Sequence, residues 1–453
     1  MVQPSLQKDD LFNYHQLKRL LIPLLVEQFL IVFFGFSDTF MVSTAGSEAA
    51  VSAVSLVDNI NVLVNQAFTA LATGGSVIAA QYLGKQDREN ACQAAEQLFM
   101  VTTLVTLVLG LIMAVFNTSV LYLIFGRDLE PEVVQHATTY MIISALTYPF
   151  IGLFSAGSAM FRSMGNSKTT MLVSLMMTIV KVALNAITIY FMKLGVIGAA
   201  VSTLIARIVS AGLYLYWIKN PYNMIYIPSY RKIRLRPDLI KRILIIGVPN
   251  GIENSLFQMG KLLTLNLVTG LGTAATAANA IASSICGLFQ LPGNAVSLAL
   301  ITIVGQCMGA RQPERAAALT KKLVLISVGM LTITQFMMCL LIDPLLTAFN
   351  ASSSAHELGR NLLFVFAPMT VVIWSISFVL PNCLRAAGDV RATMIISMIS
   401  MWTFRVGLSY VLVKGMGFGV DGVWYAMYAD WLVRAIWFSI RFQRGKWKTL
   451  QLI

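Results

Sequence analysis

The sequence predicts an all-α polytopic membrane protein with twelve transmembrane helices in two pseudo-twofold-related bundles of six. Composition, the spacing of long apolar stretches and an internal repeat all indicate this fold. Of the 453 residues, 57% are hydrophobic and 12% are charged, whereas soluble domains average roughly 45–50% and about 25%. A soluble enzyme is therefore disfavoured, and lipid is the solvent that tolerates such a chain.

Apolar stretches long enough to cross a membrane account for most of the chain. A helix needs about 20 apolar residues to span the hydrocarbon layer, and charged or Gly/Pro/Asn-rich segments separate twelve such stretches. They lie at residues 20–43, 50–81, 94–116, 136–160, 169–192, 196–218, 243–269, 274–307, 320–342, 358–382, 393–414 and 419–441. The polar first 19 residues lack the pattern of a cleaved signal peptide, so the first stretch is expected to remain in the mature protein.

The distribution of Lys and Arg predicts the orientation of these helices. Basic residues collect in short cytoplasmic loops, and 24 of the 33 lie in loops on the side of the N-terminus. Only Arg127, Lys193, Arg360 and Lys414 lie in loops on the other side. We therefore expect the chain to lie in the plasma membrane with both termini in the cytoplasm. The same placement explains the net charge of +13 without nucleic-acid binding, because no basic patch with interleaved aromatic residues is present.

The two halves of the chain repeat each other at a spacing of about 225 residues. The segment Pro23-x-x-x-Glu27-Gln28 corresponds to Pro249-x-x-x-Glu253-Asn254, and residues 161–171 (FRSMGNSKTTM) resemble residues 384–394 (LRAAGDVRATM). We therefore predict a duplicated six-helix unit. The expected N-terminal lobe is 1–220, the basic cytoplasmic linker is 221–242, and the C-terminal lobe is 243–453. Parallel repeats of this kind build transporters that work by alternating access.

These motifs resemble those of the multidrug and toxic compound extrusion (MATE) family over nearly the full length of the chain. The resemblance is carried by Pro-x-x-x-Glu and FSDTFMV in the first helix, Q-Y-L-G and Q-C-M-G at the ends of the second and eighth, and R-x-x-G after the fourth and tenth. It implies twelve helices in two bundles and the export of amphipathic organic compounds, often cationic, in exchange for Na⁺ or H⁺.

Ten ionisable side chains lie inside the predicted helices and away from their ends, where each is costly and is usually paired or functional. The acids are Glu27, Asp38, Asp58, Glu253 and Asp430, and the cations are Lys181, Arg207, Lys261, Arg405 and Arg434. Equal numbers allow complete pairing, and the spacing of Asp430 and Arg434 favours a plain i,i+4 pair. The correspondence of Lys181 and Arg405 in the repeat likewise favours a structural ion pair for each.

The expected cation-coupling residues are Asp38, Asn185 and Asp58. By resemblance, Asp38 occupies the position of an aspartate implicated in cation coupling, and Asn185 matches an asparagine that some members follow with an aspartate one turn later. Ile189 stands at that later position, so one carboxylate of the family's site is missing. Asp58 is expected to compensate, and the alternative for Asp58 is a solvent-facing residue near the end of a helix. No metal site is expected apart from Na⁺ bound at Asp38. Lys181 lies one turn before Asn185 and disfavours Na⁺, so proton coupling is favoured. The alternative for Asp38 is a static pair with Lys181 or another buried cation.

The expected substrate-cavity residues are Glu27, Gln28, Glu253, Asn254, Met259 and Lys261. NorM-type members place a glutamate two turns after the proline of the seventh helix, where this chain has Phe257, so the role does not transfer directly to Glu253. The symmetric Pro-x-x-x-Glu also allows both glutamates to have structural roles, through backbone contacts or pairing across helices. Methionine suits a surface that accepts many shapes, although filling of gaps in the core is its commoner role.

We therefore predict a cation-coupled antiporter for small organic molecules, expected to be monomeric in membrane lipid and to need no cofactor. The alternative from the same superfamily is a flippase for lipid-linked oligosaccharide, which should have a more cationic central cavity. A membrane-embedded enzyme is disfavoured, because the sequence shows no metal motif, no cluster of histidines within the spans and no G-x-S-x-G nucleophile elbow.

Overall fold

The computed structural model describes residues 12–45, 48–126, 130–230, 233–349 and 352–453, excluding the side chains of residues 36, 38–40, 42–45 and 48–51. These described residues form helices joined by short turns, without a β-strand. They divide into two compact units, which are Lys18–Gly251 and Ile252–Ile453 with residues 12–17.

The first unit contains seven α-helices and one π-helical segment. They are α1 (Tyr14–Ala45), α2 (Glu48–Gly84), α3 (Arg88–Val115), α4 (Asn117–Phe125), α5 (Pro131–Ser163), α6 (Ser167–Asn185) with a π-helical continuation (Ala186–Phe191), and α7 (Gly195–Trp217). In this unit α5 packs against α2, α3 and α7. It is the central helix of the unit and buries residues along most of its length.

The second unit begins within a helix that starts in the first unit. Its elements are α8 (Pro237–Thr269), α9 (Thr273–Phe289), α10 (Leu291–Gly309), α11 (Pro313–Ala348), α12 (Ser353–Met369), α13 (Pro381–Ala387), α14 (Val390–Ser400), α15 (Leu408–Tyr410) and α16 (Gly419–Gln443). Three π-helical segments, Thr370–Val379, Met401–Gly407 and Val411–Gly415, join α12 to α13, α14 to α15, and α15 to the turn before α16. A short 3₁₀-helix, Lys446–Thr449, follows α16.

The predicted all-α membrane fold is confirmed. Each of the twelve predicted stretches coincides with one helix or with consecutive helical segments, and nine helices in the described residues are long and apolar enough to cross a membrane. The stretch 94–116 ends at Phe116, and the short helix α4 follows it directly. The stretch 274–307 is interrupted at Gln290, just before Pro292. Proline has no N–H to donate to the preceding turn, so it suits the start of a new helix.

The R-x-x-G motifs form the same helix end in both units. Gly165 and Gly388 have positive φ angles of 74° and 100°, which glycine adopts without steric cost. After each glycine, the backbone N–H of the next residue, Asn166 or Asp389, donates back to Phe161 or Leu384 across the turn. This hydrogen bond satisfies a carbonyl that the end of the helix would otherwise leave exposed. The repeat in the sequence is thus a repeat in local structure.

The predicted linker contacts the first unit. The guanidinium of Arg88, at the start of α3, donates to the backbone carbonyls of Pro221, Asn223 and Met224 at 2.7–3.1 Å. The hydroxyl of Tyr230 donates to the carbonyl of Leu215 at 2.6 Å, and burial raises the pKa of Tyr230 to about 12. The side chain of Gln97 on α3 also donates to the carbonyl of Arg234 and accepts from the N–H of Arg236. These hydrogen bonds are consistent with the grouping of residues up to Gly251 with the first unit.

Close packing between α5 and α7 depends on Gly157. A Cβ at this position would lie 2.5 Å from the Cγ atom of Tyr214. The Tyr214 side chain is fully buried and contacts the rings of Phe154 and Phe161. It therefore has little room in which to move away.

We expect Gly157→Ala to destabilise the protein by about 1–3 kcal/mol, because overpacking forces side chains from their preferred rotamers. The loss should appear as a lower midpoint of thermal unfolding in detergent. Gly212→Ala on α7 is the control, because its new Cβ would have no neighbour within 4 Å. Equal midpoints for the two variants would show that this contact does not limit the packing.

Candidate functional site

Glu27 on α1 is fully buried and is held by side chains of two other helices. Its Oε1 atom accepts hydrogen bonds from Arg162 at 2.9 Å and Ser158 at 3.1 Å, both on α5. Its Oε2 atom accepts from the hydroxyl of Thr170 on α6 at 2.5 Å. The carboxylate therefore joins three helices of the first unit, through an ion pair and a hydrogen bond to α5 and a hydrogen bond to α6.

Glu253 on α8 makes the corresponding pair in the second unit. Its Oε1 atom lies 2.6 Å from a terminal nitrogen of Arg385, which belongs to α13. Arg385 also donates to the side-chain oxygen of Asn382 at 3.0 Å. Arg162 and Arg385 are the arginines of the two R-x-x-G motifs. Both glutamates are thus paired with arginines that lie just outside the predicted stretches, in segments expected to be loops.

A phenylalanine of α1 lies among cations of the first unit. The Nζ atom of Lys181 on α6 is 3.6 Å from the centroid of the Phe34 ring and donates to the Phe34 carbonyl at 2.7 Å. The Arg207 guanidinium on α7 is 4.6 Å from the same centroid. The negative face of an aromatic ring attracts a cation, so Phe34 helps to accommodate both charges.

The second unit has the same arrangement around Phe257 of α8. The guanidinium of Arg405 lies 5.5 Å from the ring centroid and that of Arg434 lies 5.2 Å from it. Arg434 donates to Asp430 at 2.8 Å, which confirms the predicted i,i+4 pair. Asp430 also accepts from the hydroxyl of Ser400 at 2.6 Å. In each unit, therefore, a ring from the first helix of the repeat meets cations from its fifth and sixth predicted helices.

The ion pair expected for Arg405 is not formed within the described residues. The guanidinium has no carboxylate within 4 Å there, although Asp430 attracts it electrostatically. Asp430 instead directs one oxygen to Arg434. Equal numbers of acids and cations therefore do not produce complete pairing, because Arg162 and Arg385 take up two of the acids.

Lys261, predicted to line the substrate cavity, is exposed on α8. It lies one turn beyond Phe257 on the same face, and the charge of Arg405 acts on it electrostatically. Gln28 and Asn254, the neighbours of the paired glutamates, are partly buried, and Met259 is 48% exposed. Within the second unit, Phe257 and Lys261 lie near the same arginine.

Asp58, predicted to take part in cation coupling, lies in a polar network between α2 and α5. Its Oδ1 atom accepts from the hydroxyl of Tyr140 at 3.3 Å and from the side chain of Asn61 at 3.4 Å. The hydroxyl of Tyr148 in turn donates to Asn61 at 2.9 Å. The carboxylate is only partly buried, although the helix around it is long and apolar.

Asn185 and Asp38 are the other two predicted coupling residues. Asn185 is fully buried at the end of α6, where the helix becomes π-helical. Ile189 lies within that π-helical turn and is buried in the hydrophobic cluster that contains Tyr140 and Tyr148. A π-helical segment often marks a functional position in a helix. Asp38 lies in α1, and its side chain falls outside the described residues.

The described residues contain no group of three or more His, Cys, Asp or Glu side chains that could hold a metal ion. A pocket of about 340 Å³ lies between α12 and α16 and is lined by residues that include Arg360, Phe364, Asp421 and Trp424. Sequence reasoning missed this pocket, because its residues form no motif and come from two distant helices.

We expect removal of one member of the Glu27–Arg162 pair to be strongly destabilising. Loss of either partner leaves a buried charge without compensation, at a cost of about 3–5 kcal/mol. Glu27→Gln and Arg162→Met should each lower the midpoint of thermal unfolding, and the double variant should lose less than the sum of the two.

The matched control is Arg360→Gln. Its ion pair with Asp343 is 3.6 Å long and both side chains are more than half exposed, so removal should change stability by about 0–1 kcal/mol. Additive losses in the double variant would contradict the assigned coupling between Glu27 and Arg162.

The same fold and sequence pattern occur in known proteins. A family model named MatE matches residues 23–187 and 249–411, more than half of the chain, and the two matched segments begin at the prolines of the internal repeat. An uncharacterized transporter of Bacillus subtilis, YisQ, is 26% identical over 433 residues, covering 94% of this chain and 93% of its own. NorM of Thermotoga maritima, described as a probable multidrug resistance protein, is 26% identical over 446 residues, covering 96% and 93%.

Solved structures show the same fold. A crystal structure of MATE in the bent conformation superposes with a TM-score of 0.84 at 20% identity, covering 95% of this chain and 96% of that one. A multidrug resistance MATE family transporter in an outward-facing conformation gives a TM-score of 0.86 at 19% identity, with the same coverage. With both halves matched by the family model, this chain belongs to the MATE family, whose members are transporters and not enzymes.

Proposed function

We propose that this transporter exports amphipathic organic compounds in exchange for an inward-moving cation, by alternating access. The observation that carries the coupling part of this proposal is the carboxylate of Asp58. It lies in a long apolar helix, is partly exposed and accepts hydrogen bonds from the neutral side chains of Tyr140 and Asn61. Such a carboxylate can bind and release a cation or a proton as its surroundings change.

The export of organic compounds is supported by family membership and by the relatives. NorM of Thermotoga maritima is described as a probable multidrug resistance protein, and so is a NorM of Bacillus cereus that is 24% identical over 437 residues. Both matches cover at least 90% of each chain. We therefore assign amphipathic compounds, often cationic, as the cargo class.

The coupling residues in this proposal are Asp38, Asn185 and Asp58, all in the first unit. Asn185 contributes a buried amide beside the π-helical turn. Such a turn opens the regular hydrogen-bond pattern of a helix, and this gives the helix a place to change shape during transport. We favour H⁺ as the coupling ion, because Lys181 brings a positive charge close to Asn185 and disfavours bound Na⁺.

We further propose that the protein lies in the plasma membrane with both termini in the cytoplasm. This orientation is supported by the concentration of Lys and Arg in loops on the side of the N-terminus. The expected unit of transport is one chain with one six-helix lobe from each repeat, surrounded by lipid and handling small molecules without a cofactor.

Asp38→Asn should abolish ion-driven efflux while leaving membrane insertion intact, because the amide cannot exchange a proton. The measurement is the movement of rhodamine B in proteoliposomes under an imposed ion gradient. Asp343→Asn is the matched control, since this aspartate is exposed and distant in sequence from the coupling residues. Ion-dependent efflux that persists in Asp38→Asn would contradict the assignment of Asp38.

Asp58→Asn should reduce ion-driven efflux while preserving the fold, because an amide can still accept hydrogen bonds from Tyr140 and Asn61.

The same vesicles identify the coupling ion. A proton gradient at equal sodium should drive rhodamine B movement, and a sodium gradient at equal pH should not. The opposite result would show that sodium is the coupling ion and that proton coupling is wrong.

A further inference from the structure

Three cations and one carboxylate lie close together in the second unit. We call Lys261, Arg405, Arg434 and Asp430 the basic cluster. They come from α8, from the π-helical segment after α14, and from α16. Phe257 is near both arginines, with its ring centroid 5.5 Å from the guanidinium of Arg405 and 5.2 Å from that of Arg434. All four charged positions fall within predicted membrane-spanning stretches, far from their ends.

The single carboxylate of the basic cluster is already engaged. Asp430 accepts from Arg434 at 2.8 Å and from Ser400 at 2.6 Å. Glu253, one turn before Phe257, is held by Arg385 at 2.6 Å. Within the described residues, neither Lys261 nor Arg405 has a carboxylate within 4 Å. The basic cluster therefore carries two more positive than negative charges.

Two uncompensated positive charges at membrane depth need an opposite charge. The ring of Phe257 stabilises the face of Arg405, but a ring attracts a cation less strongly than a carboxylate does. The Nε atom of Arg405 is buried and has no hydrogen-bond acceptor among the described residues. Lys261 is exposed and is repelled by Arg405. A donor that is buried and unsatisfied beside an exposed ammonium group is suited to receive an anion.

We infer that the basic cluster binds the anionic group of the transported compound, a carboxylate or a phosphate, through Lys261 and Arg405. Phe257 and Phe378, which contact edge to face at 6.1 Å and are both partly buried, offer aromatic surface next to these charges. The cargo class narrows accordingly to amphipathic molecules with an anionic group, whatever other charges they carry. Calling the ligand cargo rests on the proposed export function, although binding itself requires no ion gradient.

Two sources could supply this chemistry, namely a soluble organic anion or the headgroup of an anionic lipid. The probe for the first is rhodamine B, which has a free carboxylate, compared with its ethyl ester, which has the same ring system without the negative charge. Binding is measured by fluorescence anisotropy with the purified full-length protein in nanodiscs of phosphatidylcholine. The second source is tested by adding dioleoyl phosphatidate to the nanodiscs as a competitor.

We expect the wild-type protein to bind rhodamine B about tenfold more tightly than the ester, as one lost charge-assisted contact would give. Lys261→Met and Arg405→Met should each remove that preference, and Lys261→Glu should reverse it in favour of the ester. The matched control is Lys414→Met, which removes one exposed positive charge from the end of the same span as Arg405. It should keep the wild-type preference.

The inference is overturned if the wild type binds both dyes equally, prefers the ester, or binds neither, and also if Lys414→Met loses the preference as fully as Lys261→Met. Competition by phosphatidate that removes rhodamine B binding assigns the site to lipid headgroups as well; its absence assigns it to soluble anions. Because Lys261 is exposed, Lys261→Glu should fold, and its unfolding midpoint checks this. If the protein binds rhodamine B more tightly than the ester but shows no ion-driven efflux, only the proposed coupling is contradicted. If it shows ion-driven efflux but no preference for rhodamine B, only this inference is contradicted.

Discussion

Compensation of charge inside apolar helices is the constraint on which the rest of this structure depends. A charged side chain at the centre of a bilayer costs about 2.5–3.5 kcal/mol even on insertion scales. Glu27 and Glu253 meet this constraint in the same way, by pairing with Arg162 and Arg385. Each pair ties the first helix of its repeat to the glycine-ended turn that follows the fourth predicted helix. In both units the duplicated motif therefore brings together two segments that are distant in sequence and carry opposite charges.

These two pairs also determine what remains for transport chemistry. Once the glutamates are held by arginines, they do not neutralise the cations deeper in each unit. Aromatic rings take up part of that role, Phe34 in the first unit and Phe257 in the second. The second unit has a further carboxylate deep within a predicted span, Asp430, and it is paired with Arg434. The positive charges of Lys261 and Arg405 are thus left without a carboxylate among the described residues of the second unit, where an anionic ligand could pair with them. The carboxylate suited to ion exchange, Asp58, lies in the first unit.

Much of the fold could be predicted from the sequence, because helix length and hydrophobicity are local properties that the membrane enforces. The Asp430–Arg434 pair could also be predicted, since its partners are four residues apart on one helix. The pairing of Glu27 and Glu253 could not be assigned, because a long arginine side chain reaches into the membrane from a position that counts as a loop. The π-helical segment at Ala186–Phe191 gave no sequence signal either, since its residues are as apolar as those of a regular helix.

The two repeats differ at one place where the difference is informative. The offset that aligns Glu27 with Glu253 also aligns Phe34 and Gly35 with Gly260 and Lys261. Gly35 and Lys261 are both exposed, whereas Gly260 lies against Met401, where a Cβ would not fit without a shift. The first unit thus folds with a glycine at the position of Lys261, so packing does not require a lysine there. Lys261 therefore carries a charge that packing does not require, at membrane depth and beside the unsatisfied Arg405. Binding of an anionic ligand explains the presence of this charge.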